Sequence, residues 1–347
     1  MRHPILAIAL AAGLVGACSS STSLPSAPLA TASAAASEAG TPLAGRLEAE
    51  IAVVGSPDWP LVAFDSIWVV APDLPLVDET ATPNLIRIDP ATNEVAATIV
   101  LPDRLCQGFT ASADAIWACS ADALVRIDPA TNDITDSVPF EGTGAISGYR
   151  PAAGGGALWF LGSGGFVANT LVALDEGAKS TRTFEQSGTI AGMAYAFDAL
   201  WFTIPGEGSV ARFDPATEET EVVTTDLPNP TAIVARPDSL WVSLHGANDD
   251  QASAGDTQLV RIDPETGDVT AEFEIGGSPQ SGVEAWAGND AVHVRSTTPW
   301  MVTIDPATNE IVETITGGEP VHGPLTAGFD SIWTVNLEHN NVLRLSP

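Results

Sequence analysis

The stretch Leu85-Ile86-Arg87-Ile88-Asp89-Pro90-Ala91-Thr92-Asn93 decides the fold. Its first half alternates apolar and polar residues, the period of a strand. Its second half is a hairpin loop. The Asp carboxylate accepts from the turn's own backbone, Pro presets φ, and Asn tolerates the left-handed residue that closes the turn. A further strand, Glu94 to Val100, follows at once. The same turn returns as Asp128-Pro129-Ala130-Thr131-Asn132, Asp214-Pro215-Ala216-Thr217, Asp263-Pro264-Glu265-Thr266-Gly267 and Asp305-Pro306-Ala307-Thr308-Asn309. Asp175-Glu176-Gly177 breaks it once.

Upstream of each turn lies a second signal, an acid or turn residue followed by a small residue, an apolar residue and Trp. It reads Asp65-Ser66-Ile67-Trp68, Asp114-Ala115-Ile116-Trp117, Gly156-Ala157-Leu158-Trp159, Asp198-Ala199-Leu200-Trp201, Asp238-Ser239-Leu240-Trp241 and Asp330-Ser331-Ile332-Trp333. A seventh member, Asp290-Ala291-Val292-His293, has His in the Trp slot. The slots are 40 to 52 residues apart, a spacing that marks a propeller or an array. Each unit holds four short strands. The last unit stops at Pro347 after three, and Leu47 to Val54 is an unclaimed strand at the other end of the repeat region. Pairing the two closes a ring and removes both open edges. The expected fold is all-β, a seven-bladed β-propeller of four-stranded blades over residues 46–347, with the last blade closed by the N-terminal strand.

Trp-Val followed by Arg-Ile-Asp-Pro-Ala-Thr-Asn-Glu resembles the YVTN-type propeller repeat, over about 300 residues. The rhythm is also similar, distantly, to the streptogramin (virginiamycin B) lyase family. That resemblance implies a Pro-His motif entering the inner strands of two successive blades, a Glu after the Trp strand and a bound Mg²⁺. Here Pro320-Val321-His322 resembles one such motif with a one-residue insertion, and Glu338 follows Trp333 by five residues. The preceding blade reads Ser278-Pro279-Gln280, and a carboxamide at Gln280 cannot abstract a proton.

The chain carries Lys+Arg 13 against Asp+Glu 44, a formal net charge of −31. Nucleic acid needs a basic footprint and is excluded as a partner. The nine Trp and 45% apolar content exclude a disordered chain. Residues 1–17 read as a lipoprotein signal peptide, with Arg2 ahead of an apolar run too short to span a bilayer. Val15-Gly16-Ala17-Cys18 resembles a bacterial lipobox, with Cys18 as the lipidated residue. Residues 18–45, rich in Ser, Ala, Thr and Pro, read as a flexible tether. The expected location is therefore the outer side of the bacterial cell membrane, with the membrane touched through the lipid anchor only.

The slot tryptophans recur at one place on the second strand and read as core between blades. Trp59, Trp286 and Trp300 lie outside the slot and read as exposed. Arg87, Arg126, Arg212, Arg261 and Arg344 recur with the repeat and read as cross-strand partners of carboxylates. Cys106 and Cys119 fall on adjacent strands, and an exported chain favours a disulfide between them, the alternative being two small buried thiols. Two loops between second and third strands are long, about 71–83 (Asp73, Asp78, Glu79) and about 245–257 (His245, Asn248, Asp249, Asp250, Asp256). Long loops carry function in rigid scaffolds. The carboxylates of Asp249, Asp250 and Asp256 are candidate ligands for a hard cation, Ca²⁺ or Mg²⁺; a solvated acidic loop is the alternative. No other cofactor is expected, and no nucleophile elbow or zinc motif stands out.

The reading is a binding module at the cell envelope, monomeric, with a protein, glycan or small molecule as partner. Its candidate ligand contacts are His245, Asp249, Asp250, Asp256, Gln280, His322 and Trp59. The alternatives are a lyase-like, metal-dependent enzyme using His322 and Glu338, and a structural envelope protein.

Overall fold

The computed structural model describes residues 30–33, 40–72, 83–102, 105–120, 123–139, 146–163, 168–245, 258–277, 283–286, 291–318, 323–337 and 339–347. Seven sheets stand in a ring, each built on an antiparallel four-stranded blade. Blade 1 is Asp58–Ala63, Ser66–Pro72, Pro83–Asp89 and Glu94–Val100, from the inner strand to the outer. Blades 2 to 6 repeat this order over 105–139, 146–190, 193–224, 230–274 and 283–316. Blade 7 is Leu325–Gly328, Ser331–Asn336 and Asn341–Leu345, completed by Leu47–Ala52 as its outer strand. The inner strands touch in the cycle 1-2-3-4-5-6-7-1, so the ring is closed as the missing fourth strand requires.

The core is divided into seven clusters, one at each interface between neighbouring blades. Second strands are covered on both faces, and Ala199–Ile204 and Ser239–Leu244 are buried at every position. Outer strands face solvent, which is why Glu94–Val100 is largely exposed. The six slot tryptophans are at most 1% exposed. Burial of an indole N–H requires an acceptor. Four of them donate to the carbonyl five residues upstream, Trp68 to Ala63, Trp159 to Gly154, Trp201 to Ala196 and Trp333 to Gly328, at 3.0–3.1 Å. Trp117 instead donates to Glu176 Oε2 at 3.0 Å, so the broken turn of blade 3 supplies an acceptor of its own.

The turns do what their sequence asks. Oδ1 of Asp89, Asp128, Asp214, Asp263 and Asp305 accepts from the amide two residues on at 2.7–2.8 Å. Asn93, Asn132 and Asn309 close their turns at φ 57–64°.

The repeat arginines do more than meet carboxylates. Arg87, Arg212, Arg261 and Arg344 lie over the slot Trp of their own blade, 5.0–5.7 Å from the ring centroid. Arg87, Arg261 and Arg344 also reach the next blade. Each donates to the Pro carbonyl and the Asn Oδ1 of the following turn: Pro129 and Asn132, Pro306 and Asn309, Pro90 and Asn93. Carboxylates are met as well: Arg126, Arg212, Arg261 and Arg344 pair with Asp114, Glu221, Asp238 and Glu48 at 2.6–2.9 Å, and for Arg126 and Arg212 the next turn has no Asn to offer.

Two expectations change. Of the tryptophans expected to be exposed, Trp300 is 3% exposed and packs between blades 6 and 7 with Arg295 3.6 Å above its ring, Trp59 is half-buried against the cluster between blades 1 and 2, and the side chain of Trp286 lies outside the described residues. Within the stretch read as tether, Ala30–Ser33 and Thr41–Pro42 are parallel strands on the outer edges of blades 5 and 6. Cys119 is disulfide-bonded; the side chain of Cys106, its expected partner, is outside the described residues. Among the described residues no helix is long and apolar enough to cross a membrane.

Candidate functional site

Because the strands alternate in direction, the segments entering the inner strands share one face with the connections from second to third strands. At this end four inner strands depart from regular pairing. Bulges interrupt the ladders between Asp58 and Leu61, Leu105 and Phe109, Ser147 and Ala152, and Pro230 and Ile233. A bulge leaves residues unpaired and re-aims their side chains. In blade 3 it sends a charged side chain across the ring, and in blade 1 a charged residue, Asp58, stands at its edge.

Arg150 belongs to the blade 3 bulge. Its Nη2 donates to the carbonyl of Leu325 on blade 7 at 2.8 Å and to that of Pro60 on blade 1 at 3.4 Å. Blade 7 is not a neighbour of blade 3, so the guanidinium lies across the axis of the ring. Burial pulls its pKa down to about 10, which leaves it charged at neutral pH. Asp58 opens the inner strand of blade 1. Burial raises its pKa to about 7, and the Trp59 amide, 2.9 Å from Oδ1, opposes that rise. Trp59 holds φ at 47°, where a bulky side chain is strained. Its ring packs against the cluster between blades 1 and 2. Ser56, buried just upstream, donates to the Leu337 carbonyl at 3.0 Å and ties this entry to blade 7.

On blade 5, His245 ends the second strand half-buried, and its amide donates to the Asn229 carbonyl at 3.1 Å. Loop 246–257 leaves from there and returns at Gln258, which is fully buried. The Gln258 carboxamide accepts from Ile275 N at 2.7 Å and Gly276 N at 3.2 Å and donates to the Gly277 carbonyl at 3.1 Å. One side chain thus fastens the foot of the acidic loop to the foot of the next entry segment.

Of the residues singled out in the sequence, the structure describes Trp59 and His245. They share a face but stand on blades 1 and 5, across the ring from each other. Asp249, Asp250, Asp256, Gln280, His322 and Glu338 lie outside the described residues. Among the described residues no cluster of three or more His, Cys, Asp or Glu is placed to hold a metal. Sequence reasoning missed Asp58, Arg150 and Gln258. Arg150 alone carried a signal, an arginine on an inner strand outside the Arg-Ile-Asp slot. Asp58 offers a carboxyl whose pKa burial raises to about 7, and Arg150 a buried guanidinium that spans blades 3, 7 and 1. Buried charged groups with shifted pKa values at one end of a scaffold mark a candidate ligand site.

The fold is similar to that of a solved streptogramin B lyase, with TM-score 0.65, 17% identity, and coverage of 86% of this chain and 96% of that one. It is also similar to the computationally designed Ika8 protein, with TM-score 0.60, 9% identity and coverage of 86% and 98%. No protein-family model matches the sequence, and no curated protein matches it.

Proposed function

We propose that this chain is a lipid-anchored, extracytoplasmic propeller that binds a polar ligand at the mouth of its channel. The observation that carries the reading is the row of bulged inner strands that brings Arg150 across the axis and Asp58 beside the entrance. The Val15-Gly16-Ala17-Cys18 sequence supports export and anchoring, and so does the disulfide at Cys119, a bond that persists in oxidising compartments. The partner is a glycan, peptide or small molecule of the cell envelope.

The test is thermal unfolding of residues 19–347 against soluble peptidoglycan fragments, basic peptides, CaCl₂ and MgCl₂. A probe at about 100 times its dissociation constant adds roughly 2.7 kcal/mol. A shift seen in the parent and lost in both Arg150→Gln and Asp58→Asn supports the channel mouth. A shift that survives both places the ligand elsewhere, and no shift with any probe rejects the reading for these ligands.

A second reading, a lyase-like enzyme, draws on the fold shared with the streptogramin B lyase and on His322 and Glu338 in the sequence. Turnover of a cyclic depsipeptide with Mg²⁺, lost in His322→Ala, would establish it; no turnover by the parent would end it. A structural envelope role is left if both assays are empty.

A further inference from the structure

Ala30–Ser33 lies parallel to the outer strand of blade 5, with Ala30 opposite Ala271 and Ser33 opposite Glu274. Ala32 packs against the cluster between blades 5 and 6. Thr41–Pro42 then lies parallel to the outer strand of blade 6, with Thr41 opposite Ile315. The fit there is close. A Cβ on Gly40 would stand 2.7 Å from Thr314 Oγ1 and from Thr316 Cγ2, nearer than real contacts allow. Arg46 fastens the end. Its Nε donates to Glu313 Oε1 at 3.0 Å, its Nη1 donates to the Pro347 carbonyl at 2.7 Å, and its own carbonyl accepts from Ser346 N at 2.8 Å. Backbone pairing, a glycine-sized gap and an ion pair hold three successive blades to one N-terminal segment.

We propose that this segment is a strap which fixes where the membrane anchor leaves the ring, so that the rim of blade 5 is the surface facing the membrane. The inference rests on the anchoring at Cys18 read above. Cys18 and Ala30 are twelve chain steps apart, with eleven residues between them. These steps span about 40 Å at full extension and roughly 20 Å as a coil. A chain free up to residue 45 would reach more than twice as far at full extension and would let the ring turn. With the strap seated, blade 5 stays close to the lipid surface and blades 1 and 2, opposite it, stand away. Both ends of the channel then open sideways to the envelope.

Two measurements test this. In lipid-free residues 19–347, the strap should protect amides of 269–274 and 310–316 from hydrogen exchange. Gly40→Val, or removal of residues 19–39, should speed their exchange at least tenfold and leave 94–100 and 219–224 unchanged. Unchanged exchange at 269–274 and 310–316 overturns the strap. For orientation, the chain acylated at Cys18 is bound to phosphatidylcholine–phosphatidylglycerol vesicles containing a spin-labelled lipid. A fluorophore at Thr270→Cys, on the blade 5 rim, should be quenched at least twofold more than one at Val95→Cys on blade 1. Equal quenching overturns the orientation. If mass spectrometry of the chain from its membrane finds no acyl group on Cys18, the anchoring reading fails and the membrane-facing rim with it, while the exchange result still decides the strap.

Discussion

Arg87→Met tests whether the repeat arginines staple one blade to the next. In the native ring the guanidinium has three polar partners and one aromatic. Nε donates to Ser66 Oγ at 2.8 Å, Nη1 donates to the Pro129 carbonyl and more weakly to Asn132 Oδ1 at 3.3 Å, and the group lies 5.4 Å over Trp68. Met keeps the apolar stem on Trp68 and removes all the donors. A hydrogen bond from a charged group contributes about 1.5–3 kcal/mol. The site is half-buried and one bond is long, so the polar loss falls near the lower figure. Loss of the cation–aromatic contact adds about 0.5–1 kcal/mol. The expected cost is about 2–3 kcal/mol. At roughly 2–4 °C per kcal/mol, Tm should fall by about 4–12 °C. Arg261→Met and Arg344→Met should cost at least as much, since each keeps the Pro and Asn acceptors and also meets a carboxylate, Asp238 at 2.8 Å and Glu48 at 2.9 Å.

Arg212→Met is the control. Gly267 holds the Asn position of the next turn, and Arg212 has Glu221 at 2.6 Å in a pair with side chains 40% and 64% exposed. Such a pair is worth about 0–1 kcal/mol. Asn132→Gly keeps the left-handed turn and removes the acceptor, so a double-mutant cycle with Arg87→Met should return a coupling of about 0.5–1 kcal/mol. Urea unfolding with an unchanged m-value supplies the free energies. If Arg212→Met costs as much as Arg87→Met, or the cycle shows no coupling, the arginines only stack on their tryptophans and the staple is wrong.

Asp58 holds its proton up to about pH 7 in the folded state but loses it near pH 4 when unfolded. The unfolded state therefore gains as pH rises from 4 to 7, at a cost of at most about 4 kcal/mol; partial solvent access reduces this to about 1–3. Asp58→Asn should match the parent at pH 4 and be more stable above pH 7, by urea unfolding; an equal margin at both pH values refutes the burial argument. His293 is 1% exposed and burial lowers its pKa to about 4, so only the unfolded chain takes up its proton between pH 6.5 and 4. The parent should lose up to about 3 kcal/mol across that window from this residue, a loss absent from the pH profile of His293→Gln. At Trp59 the left-handed backbone charges about 1 kcal/mol to any residue with a side chain. Trp59→Gly should therefore be more stable than Trp59→Ala; the reverse order would mean that the bulge is unstrained.

What the sequence makes legible is what repeats, because each repeated residue answers a local demand. The Asp turn satisfies its own backbone, the slot indole reaches a carbonyl five residues back, and a unit short of one strand has to borrow it. The strap has no such signal. Its pairing uses backbone groups, and its Ala, Ser and Thr are the residues of a tether as much as of an edge strand that must approach closely. Asp58 and Arg150 are illegible for another reason. Arg150 owes its place to a bulge and both owe their shifted pKa values to burial, which spacing along the chain does not encode. Blade 6 lies between these cases. There His293 takes the Trp slot and bonds Thr303 Oγ1 at 3.1 Å in the Arg slot, so the usual stack is lost. A cation–aromatic stack returns on the same blade as Arg295 over Trp300, with Nη1 on the Trp300 carbonyl at 2.7 Å. Trp300 was expected on the surface only because it stood outside its slot. The demand for an aromatic wedge between blades belongs to the interface, and the residue that meets it can move. Departures from the repeat are thus of two kinds. Trp300 and Arg295 restore the packing rule by other means. Asp58 and Arg150 answer no demand of the repeat, although Arg150 ties blade 3 to blades 7 and 1; buried charge outside the repeat is the physical ground for proposing the channel mouth as the working part of the molecule.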